Sequence, residues 1–96
     1  MSHPPIVMYA TSTCPFCTAA RSLLQSKGAR WTEVPIDVQS SKRAEMMQRS
    51  GRHTVPQIFI GDRHVGGFDD LSLLDRQGEL DRLLETGPDG NNSSVE

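Results

Sequence analysis

The most informative segment of the chain spans residues 6–17 and has the sequence Ile6-Val7-Met8-Tyr9-Ala10-Thr11-Ser12-Thr13-Cys14-Pro15-Phe16-Cys17. Its first four residues are apolar or aromatic and favour β-structure, which predicts a buried strand. A polar turn follows. Pro15 then stands where the first residue of a helix favours proline, because the missing N–H would have no partner there anyway. The two cysteines are therefore predicted to lie at the junction of a strand and a helix.

After the cysteines the pattern alternates between helices and strands. The predicted elements are a helix over Phe16–Lys27 before Gly28, a strand over Arg30–Ile36, a helix from Ser40 or Ser41 to Gly51, strands over Val55–Ile60 and His64–Gly66, and a helical region that Asp69 or Asp70 caps and Gly78 interrupts. Strand–helix–strand order implies a parallel pair, and the short turn at 61–63 implies an antiparallel hairpin. We therefore expect an α/β fold in the order β-α-β-α-β-β-α, with a small four-stranded mixed sheet flanked by helices.

Length and composition indicate one small domain, since the 96 residues are 35% apolar and 23% charged. We expect the domain to span residues 1–86, and residues 87–96 to form a flexible tail poor in apolar side chains. A net charge of −2 favours neither nucleic acid nor a membrane as partner. No apolar run approaches the roughly 20 residues that span a bilayer, and the N-terminus lacks the features of a secretory signal, so the expected location is the cytoplasm.

A Cys-x-x-Cys pair beside a strand–helix–strand unit predicts redox chemistry in a cytoplasmic protein. At a helix start, backbone N–H groups that lack a helical partner point at the Cys14 sulfur and favour its thiolate. Cys17 follows one turn later, where it is deeper and stays a thiol. Cys14 is therefore the candidate nucleophile, which forms a mixed disulfide with a substrate, and Cys17 or an incoming thiol resolves that disulfide.

Two structural interpretations compete with the redox one. The pair could be half of a zinc site, but such a site needs two more ligands. The chain has no second cysteine pair, and His3, His53 and His64 do not form a ligand-spaced cluster. The cysteines could also be a buried pair without chemistry. The predicted junction of strand and helix favours the redox pair over both, and no metal ligand is predicted.

Three segments resemble those of dithiol glutaredoxins, in particular the short bacterial ones. They are Tyr9–Cys17, Thr54–Ile60 and Gly66–Leu71, and they occur in the order and at the spacing of that family. The resemblance covers about residues 5–85 and implies the thioredoxin fold. It also implies a glutathione-dependent thiol–disulfide oxidoreductase, which reduces protein disulfides and glutathione mixed disulfides and serves electron transfer and cell redox homeostasis.

The resemblance further implies a glutathione site beside the cysteines, formed by Thr11, Phe16, Arg52, Thr54, Val55, Pro56, Gly67, Phe68, Asp69 and Asp70. Pro56 matches a proline that is cis in this fold, and Arg52 matches a residue that binds the glycine carboxylate of glutathione. Residues 67–70 match the helix start that holds the γ-glutamyl end. A helix N-terminus offers N–H donors to a carboxylate, and an Asp can accept from an ammonium group. One Asp could bind the ligand while the other only caps the helix.

Four basic residues lie on or beside the second predicted helix: Lys42, Arg43, Arg49 and Arg52. We expect them to form a basic face near the sulfur. For Arg43, the resemblance adds a glutathione-binding role found in the monothiol branch of the family. The alternative, which applies most to Arg43 and Arg49, is an ordinary solvated helix face.

The resemblance implies glutathione as reducing cosubstrate, no tightly bound cofactor, and partners that are glutathionylated or contain disulfides. We expect the chain to act as a monomer. One alternative is a redoxin that thioredoxin reductase reduces. A second is a carrier of a [2Fe–2S] cluster shared by two subunits, which Pro15 disfavours. A third is an interaction module in which the cysteines are incidental.

Thr11 departs from the family's pattern, which often has a lysine three residues before the first cysteine, and Phe16 stands where Tyr is more common. A lysine at position 11 would contact glutathione and favour the thiolate. We therefore expect Thr11→Lys to lower the apparent KM for glutathione in a disulfide-reduction assay. An unchanged KM would contradict this expectation.

Overall fold

The computed structural model describes residues 4–93, with the backbone alone for 88–93. It contains β1 (Ile6–Ala10), α1 (Pro15–Ser26), β2 (Thr32–Pro35), α2 (Ser41–Ser50), β3 (Gln57–Ile60), β4 (Arg63–Gly66), α3 (Phe68–Arg76) and α4 (Glu79–Ser93). The predicted order is confirmed, with the last helical region divided into two helices. Within the described range, no helix has the length and apolar character needed to cross a membrane. Residues 1–3, including His3, and residues 94–96 of the predicted tail lie outside the described residues.

The four strands form one mixed sheet in the order β2-β1-β3-β4. β1 pairs in parallel with β2 and antiparallel with β3, and β3 pairs antiparallel with β4. The predicted parallel pair and hairpin are therefore confirmed. Tyr9 lies opposite Gln57, and Ile58 lies opposite Gly66. The segments after β1, before β3 and after β4 consequently meet at one edge of the sheet.

Alternation along the strands directs apolar side chains to both faces of the sheet. On one face, Ile6, Met8, Ile58 and Ile60 belong to a buried cluster with residues of α1, α3 and α4. On the other, Tyr9 and Phe59 cluster with Ile36 and Met46. Helices therefore cover the sheet on both sides, and β1 and β3 are buried in its centre.

The start of α3 differs from the prediction that Asp69 or Asp70 caps it. The N-cap is Gly67, and the helix begins at Phe68. Asp70 is its third residue, and its Oδ2 accepts a hydrogen bond from the Gly67 N–H at 3.0 Å. The carboxylate thus satisfies the helix start from inside the first turn, because a side chain at this position reaches back to the N-cap amide. Sequence spacing placed the helix start two or three residues too late.

The other boundaries lie within about two residues of the prediction: β2 begins at Thr32 and not at Arg30, and β3 begins at Gln57 and not at Val55. Ser40 precedes α2, as expected of its cap, but its side chain makes no capping hydrogen bond. The expected break near Gly78 is confirmed, since this residue has a φ of +78° between α3 and α4, a conformation that favours glycine. Gly87 also interrupts α4 with non-helical angles at the predicted start of the tail. The backbone is nevertheless helical as far as Ser93, and the flexibility of this segment stays a prediction.

Two leucines of α3 provide a matched test of the core. Leu71 is fully buried, whereas Leu73 on the same helix is 47% exposed. We expect Leu71→Ala to lower the free energy of unfolding by about 2–5 kcal/mol, because it leaves a cavity under the sheet. Leu73→Ala should cost less than about 1 kcal/mol. Urea denaturation of both variants measures the difference, and equal losses would contradict this assignment of the core.

Candidate active site

Cys14 is the N-cap residue of α1, immediately before Pro15, as predicted. Its sulfur is half-buried and accepts a hydrogen bond from the Cys17 N–H, with 3.2 Å between N and Sγ. The Cys14 Sγ also lies 3.6 Å from the Val55 carbonyl oxygen, to which the protonated thiol donates. The helix start thus directs an N–H donor at the Cys14 sulfur, which stabilises negative charge there.

Cys17 is fully buried in the first turn of α1. Burial and, to a smaller extent, the hydrogen bond with Cys14 raise the pKa of its thiol to about 12. Cys17 is therefore protonated at neutral pH, and its sulfur is shielded from solvent. The two cysteines differ as the sequence predicted: one is accessible at the helix start and the other is deeper.

The segment before β3 lies against the Cys14 sulfur. The Val55–Pro56 peptide bond is cis, as predicted. Gln57 follows and is the buried polar side chain of this strand. Its Nε2 donates to the carbonyl and hydroxyl oxygens of Thr54, at 3.0 and 3.2 Å. Gln57 therefore holds Thr54 in place from beneath.

His64 completes this arrangement from β4. Its Nε2 lies 2.7 Å from the Gln57 Oε1. Because the Gln57 amide nitrogen donates to Thr54, its oxygen must accept, so the His64 Nε2 carries a proton. Burial lowers the pKa of His64, which favours the neutral ring. Every polar atom of the buried Gln57 amide thus has a partner.

An open groove of about 300 Å³ runs beside the cysteines and is lined by Phe16, Arg52, Thr54, Val55, Pro56, Gly67, Phe68, Asp69 and Asp70. These are all of the predicted glutathione-binding residues except Thr11. The groove forms because the loops after β1, before β3 and after β4 meet at this edge of the sheet. A cavity of about 410 Å³ lies by Ile6, at the opposite end of β1, and contains neither cysteine.

Opposite charges face each other in the groove. The Arg52 Nη1 lies 3.0 Å from the Asp70 Oδ2, the same oxygen that accepts from Gly67. The backbone hydrogen bond from Gly67 and the neighbouring Arg52 lower the pKa of Asp70. Gly66 leaves room for this carboxylate, since a Cβ there would lie 2.3 Å from the Asp70 Oδ2, and its φ of +116° also favours glycine.

The remaining predicted basic residues are used differently. Arg49 donates to the Tyr9 hydroxyl at 2.8 Å and stacks 4.1 Å above the Phe59 ring, so it packs on the sheet. Lys42 pairs with Glu45 at 3.1 Å. Arg43 is exposed on α2. Of the four, Arg52 is the one that lines the groove.

Thr11 lies outside the lining of the groove, and its carbonyl accepts from the Arg21 Nη2 at 3.1 Å. Its predicted role towards glutathione stays a prediction.

Sequence reasoning missed Arg21, Gln57 and Gly66. A polar residue in the apolar strand after Val55–Pro56 was a usable signal for Gln57, whereas the contacts of Arg21 depend on tertiary structure. Among the described residues, no three His, Cys, Asp or Glu side chains are grouped as metal ligands.

The lowered pKa of Asp70 predicts a pH-dependent contribution to stability. This stability is present above the unfolded-state value near 3.8 and is lost as the pH falls through the lower folded-state pKa. At neutral pH we expect Asp70→Asn to lower the free energy of unfolding by less than about 1 kcal/mol, because the ion pair is half-exposed. Urea denaturation at several pH values should show the difference from wild type disappearing in acid. A difference that stays constant with pH would contradict the assignment.

Comparison with known proteins agrees with this geometry. Residues 6–65 match the family model for glutaredoxin. The chain is 54% identical to glutaredoxin 3 of Escherichia coli over 80 residues, covering 83% of this chain and 96% of that protein. It is 51% identical over 81 residues to a glutaredoxin of Pseudomonas aeruginosa, with 84% and 96% covered.

Solved structures give the same result. The solution structure of a glutaredoxin from Brucella melitensis aligns with a TM-score of 0.80 at 48% identity, covering 91% of this chain and 95% of that one. The crystal structure of a buckwheat glutaredoxin–glutathione complex aligns with a TM-score of 0.79 at 30% identity, with 85% and 77% covered. The chain therefore has the thioredoxin fold and belongs to the glutaredoxin family of thiol–disulfide oxidoreductases.

Proposed function

We propose that this protein uses glutathione to reduce protein disulfides and glutathione mixed disulfides through Cys14 and Cys17. The observation that carries the proposal is the groove with a charged end at Arg52 and Asp70. Val55 also lines this groove, and its carbonyl oxygen contacts the Cys14 sulfur. A ligand in this groove would carry its own charges and place a sulfur beside Cys14. Glutathione has two carboxylates, one ammonium group and a central thiol, which match these features.

Each end of glutathione has a suitable partner in the groove. Arg52 can bind one carboxylate, as guanidinium groups do. The N–H groups at the start of α3 can bind the other, and Asp69 or Asp70 can accept from the ammonium group. The backbone at Thr54 and Val55 can pair with the extended peptide, and the 58% exposed Phe16 ring can form a wall. The buckwheat relative was crystallised with glutathione, which supports this choice of ligand.

The chemistry follows from the different environments of the two sulfurs. The Cys14 thiolate attacks a substrate disulfide, one sulfur of which leaves as a thiolate and takes a proton, and a mixed disulfide forms at Cys14. With a glutathionylated substrate, the mixed disulfide contains glutathione, and a second glutathione thiolate releases it as glutathione disulfide. With a protein disulfide, Cys17 gives up its proton and attacks Cys14, so that the substrate leaves reduced. Two glutathione molecules then restore the dithiol.

The wider proposals concern the cellular setting. The protein would act as a cytoplasmic monomer without a tightly bound cofactor, in electron transfer and cell redox homeostasis. Its partners would be glutathione and proteins that are glutathionylated or contain disulfides. Bacterial glutaredoxins that the chain matches over nearly their whole length support this setting.

Variants at the two cysteines test the proposal. We expect Cys14→Ser to reduce activity to background towards every substrate, because the remaining thiol, Cys17, is buried and protonated. Cys17→Ser should retain the reduction of glutathionylated substrates and lose that of protein disulfides. Activity is measured with glutathione and glutathione reductase, and in parallel with thioredoxin reductase. Full turnover with thioredoxin reductase alone, or equal loss of deglutathionylation in both variants, would contradict the proposal.

A further inference from the structure

We propose that Arg21 is a positioning residue for Cys17. The Arg21 guanidinium holds positive charge near the buried Cys17 sulfur while that sulfur attacks the mixed disulfide at Cys14. This inference rests on the proposed dithiol mechanism and assigns a role to a residue outside the groove. It concerns the second step, in which a buried and protonated thiol has to become a nucleophile.

The contacts of Arg21 direct it towards the first turn of α1. Arg21 follows Cys17 by four residues, so both lie on the same face of the helix. Its Nε and Nη2 donate to the Glu33 carboxylate on β2, with Nε at 3.0 and 3.1 Å and Nη2 at 2.5 Å. Its Nη2 also donates to the Thr11 carbonyl at 3.1 Å, and its Nη1 approaches the Thr18 hydroxyl at 3.5 Å. The guanidinium is thus fixed between β2, the loop before Cys14 and the helix.

Two of the residues joined by these contacts, Thr11 and Arg21, affect the pKa of Cys17. Burial raises the pKa of Cys17, whereas the Thr11 backbone and the charge of Arg21 both lower it. The Thr11 peptide therefore links the two residues, since its carbonyl binds Arg21 and its backbone interacts with the Cys17 sulfur. The pKa of Arg21 is raised mainly by Glu33 and, to a smaller extent, by Cys17 and Cys14.

The charge on Cys17 changes most during the resolving step. The Cys17 S–H bond breaks, the sulfur bonds to Cys14, and the bond between Cys14 and the substrate sulfur breaks; the proton that Cys17 loses balances the one that the departing substrate gains. The substrate leaves as a thiolate and takes up a proton, and the dithiol has given it two electrons. A positive charge near Cys17 favours this step because negative charge develops on a sulfur that solvent does not reach. Glu33 holds the guanidinium in place, so little side-chain freedom is lost at that moment.

The placement also bears on Thr11, where the family often has a lysine. Arg21 brings a cation to the carbonyl of this residue from the helix side. Its charge lowers the pKa of Cys17, and Arg21 is not among the residues that line the groove. The two positions therefore differ in emphasis: a cation at residue 11 would act on the ligand and on Cys14, whereas Arg21 interacts more with Cys17 than with Cys14.

The test uses the reduced full-length protein and excess dithiodipyridine, a neutral disulfide that releases a coloured thione. The first release reports attack by Cys14, and its rate depends on the concentration of the probe. The second reports closure of the Cys14–Cys17 disulfide, and its rate does not. In Arg21→Gln we expect the second phase to slow about three- to fourfold for each unit by which the pKa of Cys17 rises, because thiolate is lost tenfold while its nucleophilicity increases in part. The first phase should slow much less, because Arg21 interacts more with Cys17 than with Cys14.

Three further results decide the inference. Cys17→Ser should abolish the second phase, which assigns it. Arg21→Lys should retain most of the second-phase rate, because it keeps the charge although it cannot bridge Glu33 as a guanidinium does. An unchanged second phase in Arg21→Gln, or an equal slowing of both phases, would overturn the role of Arg21. Because the probe contains no glutathione, a negative result would overturn the role of Arg21 without contradicting the proposed dependence on glutathione, which the cysteine variants test separately.

Discussion

Tyr9 at the end of β1 lies opposite Gln57 at the start of β3, and this antiparallel register determines where the chemistry can occur. It brings the loop that carries Cys14 against the loop that carries the cis peptide at Pro56. Because β4 is antiparallel to β3, the start of α3 comes to the same edge. A shift of one residue between β1 and β3 would reverse the faces of Tyr9 and Met8 and would separate these loops. The position of the site is therefore a consequence of strand pairing, and the helices pack against the two faces that this pairing defines.

Much of the fold could be predicted because the local patterns are strong. The apolar run at Ile6–Tyr9, Pro15 and the break at Gly78 each indicate an element boundary, and each agrees with the structure. The start of α3 was misplaced because Asp70 accepts from the Gly67 amide from within the first turn of the helix. In the sequence, such an Asp cannot be distinguished from an Asp at the N-cap. The groove residues were predicted from the family resemblance, and the structure brings all but Thr11 together. Arg21 could not be predicted, because its contacts join segments that are distant in the chain.

Polar groups in and near the groove form hydrogen bonds and an ion pair with one another in the absence of a ligand. Asp70 is held by Gly67 and Arg52, and Thr54 is held by Gln57, which His64 holds in turn. A ligand that binds here exchanges existing partners for its own groups, so no isolated charge has to be taken from water. If glutathione binds here as proposed, this arrangement would favour ligands that carry both charge signs, because such ligands can replace the Arg52–Asp70 pair on both sides.

The depth of Cys17 has a consequence for the survival of the protein under oxidative stress. Oxidants in solution reach the Cys14 sulfur, whereas Cys17 is enclosed and protonated. A sulfenic acid formed at Cys14 would have a thiol adjacent to it, and the two condense to a disulfide with loss of water. This reversible state prevents the irreversible addition of further oxygen at Cys14. The inner cysteine thus keeps the outer one repairable, in addition to any part it takes in turnover.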